Sequence, residues 1–200
     1  MYAELLELAR KVGLDAGALL MERPPAFEIE SKSTAIDIAT QMDKKAEKFI
    51  VESLLAARPD DGIIGEEGSA VESKSGITWV IDPLDGTVNY LYDLPGWNVS
   101  IAAKDEHGQL VGVVTAPSIN STWWAIRGGG AFFNGRVIRC NDPIEMDRAL
   151  LATGFQYDTA HRGQQIDHVS RALPIIRDIR RNGAAAVDLC HVAMGRVDGY

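Results

Sequence analysis

The chain has 200 residues, of which 46% are hydrophobic, enough apolar material for one sizeable domain or two small ones. Its 20 basic and 28 acidic side chains give a formal net charge of −8, which argues against bulk electrostatic binding to nucleic acid or an anionic membrane. Two cysteines are too few for a disulfide framework. The sequence shows no signal-peptide pattern and no apolar run long enough to span a bilayer, so a cytoplasmic protein is expected.

The first third of the chain predicts two amphipathic helices with short strands beside them. Apolar residues recur at helical spacing before Pro24 and Pro25 and again around Phe49, as expected for helices that pack through one face. The second of these helices carries Asp43. The predicted elements are a helix over Tyr2–Met21, a strand over Phe27–Glu30, a loop over Lys32–Thr34, a helix from Asp37 to Ala57 and a strand at Ile63–Ile64.

The middle of the chain predicts an antiparallel meander, because polar and glycine-rich turns separate its apolar runs. Gly128, Gly129 and Gly130 resemble a phosphate-binding loop, but no Lys-Ser/Thr pair follows them, so hairpin turns are favoured. The predicted elements are a surface loop over Ala70–Gly76 and strands at Val99–Ala103, Leu110–Thr115 and Thr122–Ile126.

Asn141, Asp142 and Pro143 mark a predicted domain boundary, since a new strand and helix begin beyond them. We predict an N-terminal α+β domain over residues 1–145 and a partial C-terminal α/β domain over residues 146–200. The elements predicted in the second domain are a strand at Leu150–Thr153, a helix over Thr159–Asp178 and a helix near Val187–Met194.

The stretch Trp79–Tyr90 contains several residues whose side chains or backbone groups can bind a ligand. An apolar strand is predicted to stop at Ile81 and to lead into a turn that contains Asp82 and Asp85. Carboxylates placed in this way can bind one cation, and the Leu84 carbonyl is available as a further hard oxygen ligand.

A phosphate site is expected beside this cation site. Gly86 and Thr87 open a helix whose free N–H groups suit an anion. The Thr87 hydroxyl can orient an attacking water or hold the phosphoryl group. Asp43 is the candidate partner of Thr87, accepting its proton if the second helix crosses this turn.

Glu66 follows a second predicted strand, so Glu66, Asp82 and Asp85 are expected to meet at one edge of the sheet. Such crowded carboxylates need cations, because they would otherwise be driven to protonate. Hard oxygen ligands favour Mg²⁺ or Mn²⁺ over Zn²⁺. Two such ions, roughly 3.5–4 Å apart, can activate water and stabilise the leaving oxygen of a displacement at phosphorus. Hydrolysis of a phosphate monoester is the predicted reaction.

These residues resemble the two metal-binding motifs of the inositol monophosphatase family. The similarity implies a layered αβαβα sandwich, dependence on two or three Mg²⁺ ions, inhibition by lithium and usually a homodimer. It extends over the whole chain and rests on Gly65, Glu66 and Glu67, on Asp82 through Thr87 with Asn89, on Lys32, Ser33, Asp37 and Asp43, and on the segments Gly130–Gly135 and Gly183–Gly199.

The resemblance also implies roles for single residues. Gly183, Ala184 and Ala185 would face the substrate, although close helix packing explains these small residues equally well. The implied set is Glu66, Asp82, Asp85 and the Leu84 carbonyl for metal, Glu66, Thr87 and Asp43 for catalysis, and Asp85, Gly86, Thr87, Gly183, Ala184 and Ala185 for substrate.

Family members act on inositol phosphates, histidinol phosphate, fructose bisphosphate or phosphoadenosine phosphate, and inositol 1-phosphate is the expected substrate here. The family sequence continues beyond the position of Tyr200 with a substrate-contacting Glu and a Trp-Asp motif that ligates the second metal. This chain alone is therefore expected to bind its second metal weakly.

Two other functions fit parts of the sequence. Haloacid dehalogenase phosphatases carry an Asp-x-Asp-Gly-Thr strand end whose first Asp is a nucleophile, but here Pro83 and Leu84 separate the two acids. A non-catalytic binding role also stays open, because bacterial relatives of the family are associated with transcription and ribosome assembly. The histidines, Cys190, Trp123 and Trp124 are expected to be structural.

Overall fold

A mixed sheet covered by helices forms the centre of the computed structural model, which describes residues 1–32 and 34–200. Ser33, part of the predicted loop and of the family resemblance, lies outside the described residues. The strands are β1 (Ile29–Ser31), β2 (Ile38–Thr40), β3 (Gly62–Gly65), β4 (Ala70–Val71), β5 (Thr78–Asp85), β6 (Asn98–Asp105), β7 (Gly108–Ala116), β8 (Ser121–Ile126), β9 (Gly130–Phe133), β10 (Arg136–Ile138), β11 (Leu150–Ala152) and β12 (Asp178–Arg180). The α-helices are α1 (Tyr2–Met21), α2 (Gln41–Ala57), α3 (Thr87–Leu91), α4 (Thr159–Ala172) and α5 (Ala185–Ala193).

The large sheet has the strand order β10-β9-β8-β7-β6-β5-β3-β4. Strands β3 and β5 run parallel, while the other neighbours pair antiparallel, so the predicted meander is confirmed. Because β3 and β5 point the same way, the residues that follow them emerge at one edge of the sheet. Two small pairs lie outside this sheet, β1 with β2 antiparallel and β11 with β12 parallel.

Helices lie on both faces of the large sheet. Along β7, Val113 belongs to the core shared with α1 and α2, whereas the next residue, Val114, packs against the cluster that contains Val187 of α5. Successive strand residues point to opposite faces, so α5 lies on the other side from α1 and α2. The predicted layered α/β architecture follows from this arrangement.

Helix α1 has the predicted bounds, Tyr2–Met21, and its leucine and alanine face is buried. Burying one such leucine side chain is worth roughly 1.5–3 kcal/mol. Gly17 lets the helix approach the turn after β7 closely, since a Cβ there would lie 2.8 Å from Pro117. None of the helices among the described residues is long and apolar enough to cross a bilayer.

The prediction that the second helix begins at Asp37 was wrong. The Thr40 side chain accepts a hydrogen bond from Met42 N (3.1 Å), and the Asp43 carboxylate accepts one from Thr40 N (2.8 Å). This capping box fixes the helix start at Gln41. The residues before it form β2, which pairs with Ile29–Ser31 rather than with the predicted strand Phe27–Glu30.

Three other boundaries also differ from the sequence predictions. The helix predicted over Thr159–Asp178 ends at Ala172, because Pro174 cannot continue it, and the chain then forms β12. The predicted loop Ala70–Gly76 contains β4, and the last helix begins at Ala185 rather than Val187. The division into domains at residue 145 stays a prediction.

Strand β5 does not stop at Ile81 but continues to Asp85. Asp82 pairs with Ser100 and Asp85 pairs with Asn98 on β6, so β5 contains one extra residue between these pairs. Such a bulge bends the strand locally. The predicted turn is therefore a bulged strand end.

Candidate active site

A cleft of about 440 Å³ lies where β3 and β5 end. It is lined by most of the residues to which the sequence assigns a role, and Asp43 contacts it through Thr87. The assigned residues that line it are Glu66, Asp82, Leu84, Asp85, Gly86, Thr87, Gly183, Ala184 and Ala185.

Asp43 and Thr87 are in direct contact, because α2 crosses the strand end. Thr87 Oγ1 donates a hydrogen bond to Asp43 Oδ1 (2.9 Å) and lies 3.1 Å from the Leu84 carbonyl. Thr40 donates to the other oxygen of Asp43, from its amide (2.8 Å) and its hydroxyl (2.7 Å). Burial raises the pKa of Asp43, and the hydrogen bonds from Thr40 and Thr87 oppose this rise. The Thr87 oxygen, with its proton directed at Asp43, can accept a hydrogen bond from a water molecule.

Asp82 and Glu66 form the acidic end of the cleft. Burial and the nearby carboxyls of Glu66 and Asp85 together raise the pKa of Asp82 to about 9, while the Leu84 N–H opposes the rise. A pKa above neutrality means that these carboxyls cannot all be charged at pH 7 unless a cation compensates them.

Lys32 supplies one positive charge to this acidic end. Its ammonium donates to Glu66 Oε1 (2.9 Å) and also to Glu67 Oε1. Partial burial would lower the pKa of Lys32, but the hydrogen bonds to Glu67 and Glu66 outweigh burial and raise it. No role was predicted for Lys32 beyond its place in the family resemblance.

Asp85 is held by groups from β6 and α5. Its carboxylate accepts hydrogen bonds from Ala185 N (3.1 Å), Ala186 N (2.7 Å) and Asn98 Nδ2 (2.9 Å). Burial raises the pKa of Asp85, and these donors oppose the rise. Since a carboxylate has about four lone-pair positions, one acceptor position stays available on Asp85.

Gly86 and Gly183 allow α5 to start beside the strand end. Gly86 has a φ of +87°, and a Cβ there would lie 3.1 Å from the Cβ of Ala184. Gly183 has a φ of +89°, and its Cβ would lie 2.5 Å from Asn89 Oδ1. These contacts support the packing alternative for Gly183, while the substrate role assigned to Gly183, Ala184 and Ala185 stays a prediction.

The candidate ligand atoms are carboxylate and carbonyl oxygens, the atom type that hard divalent cations bind. Glu66 lies beside Asp82, the Leu84 carbonyl lines the same cleft, and Asp85 keeps a free acceptor position. No group of three His, Cys, Asp or Glu side chains among the described residues is placed to hold a metal ion. The donor atoms match Mg²⁺ in chemical type but are not arranged as a preformed site, and the metal roles stay predictions.

Several residues of the cleft were missed by sequence reasoning. Asn98 is fully buried and pairs with Asp85 across the strands, so a correct strand register would have pointed to it. Tyr157, Gln165 and Arg181 line the opposite wall. These three come from separate segments of the last third of the chain, and no local motif marks them.

A model of the inositol monophosphatase family matches residues 1–200. The chain belongs to the inositol monophosphatase family. It is 37% identical over 181 residues to the inositol-1-monophosphatase of Mycobacterium leprae, a match that covers 86% of this chain and 62% of that protein. It is 39% identical over 201 residues to the Nus factor SuhB of Pasteurella multocida, which covers 98% of this chain and 75% of that protein.

Solved structures of inositol monophosphatase family members share the fold. The extragenic suppressor protein SuhB of Bartonella henselae superposes with a TM-score of 0.89 at 33% identity, covering 96% of this chain and 75% of that one. An IMPase of Thermotoga maritima superposes with a TM-score of 0.81 at 34% identity, covering 94% and 71%. The predicted family and fold class are confirmed. The chain spans less than two thirds of the mycobacterial relative.

Proposed function

We propose that the protein is a Mg²⁺-dependent phosphomonoesterase that acts on a small phosphorylated metabolite, with inositol 1-phosphate as the first candidate. Inositol monophosphatase family proteins are generally metal-dependent phosphatases. The observation that carries the proposal is the convergence of Glu66, Asp82, Asp85 and Thr87 in one cleft. A cation bound there would allow the buried Asp82, whose pKa is raised to about 9, to be charged at neutral pH.

Glu66, Asp82, Asp85 and the Leu84 carbonyl would hold magnesium, which supplies positive charge to the phosphoryl oxygens and to the attacking water. The residues of the chain do the positioning. Thr87 holds the water, and Asp43 fixes the direction of the Thr87 hydroxyl. Lys32 offsets the charge of Glu66 and Glu67.

Phosphate release by the full-length protein tests this function. The compounds to compare are inositol 1-phosphate, histidinol phosphate, fructose 1,6-bisphosphate and phosphoadenosine phosphate. Asp82→Asn and Glu66→Gln should each lower kcat at least roughly 100-fold, because each removes charge that holds the metal. Glu72→Gln, an exposed glutamate outside the cleft, should leave kcat unchanged. Near-normal turnover in either cleft variant would show that the residue was misassigned.

A binding function is the second candidate, and the 39% identity to a protein named Nus factor SuhB favours it. A strain carrying Asp82→Asn separates the two functions. If phosphate release is lost and every cellular phenotype is retained, the binding role is the physiological one. The expectation of no nucleic-acid partner, the homodimer, lithium inhibition and the cytoplasmic location stay predictions.

A further inference from the structure

Helix α2 carries a second buried carboxylate one turn after Asp43. Glu47 follows Asp43 by four residues, so the two side chains lie on the same face of the helix. Both residues are buried. Asp43 accepts a hydrogen bond from Thr87. A carboxylate buried like Glu47 also requires hydrogen-bond donors, and the turn that follows β3 supplies them.

The donors in this turn are backbone amides. Glu47 Oε2 accepts a hydrogen bond from Glu67 N (2.8 Å), and Glu47 Oε1 accepts one from Ser69 N (2.9 Å). Hydrogen bonds that a carboxylate accepts from backbone N–H groups are roughly twice as strong as those between neutral groups. Gly65 permits this approach, because a Cβ at this position would collide with the Glu47 carboxyl group. The Glu47 side chain therefore binds the turn to α2 at two points.

Glu66 lies in the same turn, between β3 and the two amides that Glu47 binds. The N–H of Glu66 donates to the carbonyl of Ile81, the residue before Asp82 (3.1 Å). The Glu66 side chain is 48% exposed, so packing does little to fix its direction. The position of this carboxylate in the cleft thus depends on where the backbone of the turn is held.

We propose that Glu47 is a positioning residue, which holds the turn of Glu66 in place beside the end of β5. Helix α2 then supports both parts of the site, because Asp43 fixes the Thr87 hydroxyl and Glu47 fixes the turn. Glu47 is not among the described residues that line the cleft, so it acts through the backbone of the turn. The inference rests on the proposed phosphatase function and adds a residue to it.

Hydrogen exchange of the metal-free, full-length protein tests whether Glu47 holds the turn. Glu47→Gln keeps the length of the side chain but places an NH₂ group against one of the two backbone N–H groups. In EDTA, the amide of Glu67 or of Ser69 should exchange roughly tenfold faster, as expected for the loss of a hydrogen bond to a carboxylate. Glu52→Gln, which changes an exposed acid on the same helix, should leave both rates unchanged.

Unchanged exchange at both amides in Glu47→Gln would overturn the proposal. Should this variant fail to fold, Glu47→Asp replaces it, because a side chain that is one methylene shorter withdraws the carboxylate from the turn. The same two amides should then exchange faster.

Calorimetric titration with Mg²⁺ tests whether the turn determines the position of Glu66. The Kd for Mg²⁺ should rise roughly tenfold in Glu47→Gln, as is typical when the hydrogen bonds that support a metal ligand are removed. It should stay unchanged in Glu52→Gln. Faster exchange of the turn with an unaltered Kd for Mg²⁺ would make Glu47 a purely structural residue and refute the positioning role.

Phosphate release separates this inference from the proposed function. Glu47→Gln should need a higher Mg²⁺ concentration for half-maximal activity, while its KM for the phosphomonoester stays that of wild type. If wild type hydrolyses none of the compounds named above, the phosphatase proposal fails, and the exchange and titration results still decide the role of Glu47. Activity of Glu47→Gln equal to wild type at every Mg²⁺ concentration would refute the positioning role and leave the phosphatase proposal in place.

Discussion

The two walls of the candidate active site are built very differently. One side of the cleft, the sheet wall, consists of Glu66, Asp82 and Asp85 at the end of the large sheet. Helices α1 and α2 bury a continuous apolar face against this sheet. The opposite wall comes from residues 146–200, where α4 buries no residue and β11 and β12 are three residues long each. The carboxylates proposed for catalysis are thus held by a dense core, whereas Tyr157, Gln165 and Arg181 line the cleft from a lightly packed segment.

This contrast suggests that the large sheet stabilises the site and that residues 146–200 determine which substrate is selected. Regions with few buried apolar contacts open at lower free-energy cost than core strands and helices. We expect the opposite wall, which contains α4, to change its conformation when different substrates bind. The carboxylates of the sheet wall should keep their geometry. The following experiments test that contrast, beginning with the largest expected effect.

Truncation of matched isoleucines compares the two regions directly. Ile50 of α2 is fully buried, and Ile166 of α4 is 54% exposed. Ile50→Ala should lower the free energy of unfolding by about 2–5 kcal/mol, because it leaves a cavity in the core. Ile166→Ala should change it by less than about 0.5 kcal/mol. Urea unfolding measures both, and similar losses would show that α4 is packed as firmly as α2.

Substitution of Thr87 tests whether the residues beside the sheet wall take part in catalysis. Thr87→Ala should lower kcat about 100-fold, because the hydroxyl that Asp43 orients is lost. Thr87→Ser keeps the hydroxyl and should retain most of the activity. Steady-state phosphate release measures both variants. Equal losses in the two would mean that the methyl group, not the hydroxyl, matters.

Two glycines should respond to alanine with opposite signs. Gly183→Ala is expected to destabilise the protein by about 1–3 kcal/mol, because its positive φ and the contact with Asn89 leave no room for a Cβ. Gly163 lies within α4 with open space around it, so Gly163→Ala should stabilise the protein by up to about 1 kcal/mol. Thermal unfolding gives both values. A stabilising Gly183→Ala would contradict the close approach of α5.

The smallest expected effect concerns an ion pair at the rim of the sheet. The Arg127 guanidinium donates to both oxygens of Asp105 (2.9 and 3.2 Å) and lowers the pKa of that carboxyl. A lowered carboxyl pKa stabilises the fold at pH values above the unfolded pKa, and this contribution is lost as pH falls through the folded pKa. Asp105→Asn should therefore be slightly less stable than wild type at pH 7. The difference should shrink as pH falls below 3.8, and a difference that stays constant as the pH is lowered would refute the ion-pair explanation.

Much of the sheet wall could be predicted from the sequence, because its signals are local. The helical period from Tyr2 to Met21 and the acids after two apolar runs are properties of short segments. The start of α2 was misplaced at Asp37, although the capping pattern of Thr40 and Asp43 is visible in the sequence. The helical spacing of apolar residues extends back to Ala39, whereas the cap starts the helix at Gln41.

The opposite wall could not be predicted in the same way. Tyr157, Gln165 and Arg181 line the cleft from the segment in which β11 and β12 pair in parallel, with α4 between them. That pairing depends on contacts between distant segments. The predicted helix also ran on to Asp178, the first residue of β12, so no strand was predicted there. Pro174 is a local sequence signal that by itself predicts the end of the helix.

The extra residue in β5 has a consequence for how the family motif can vary. In a regular strand, residues an odd number apart face opposite sides, so without the bulge Asp82 and Asp85 could not both reach the cleft. Deleting Pro83 or Leu84 would leave the two acids two residues apart, on one side of a regular strand, but it would remove the bend at which the Leu84 carbonyl meets Thr87. We therefore expect a change of length between Asp82 and Asp85 to lower activity more than a change of length in the exposed Glu106–His107 turn.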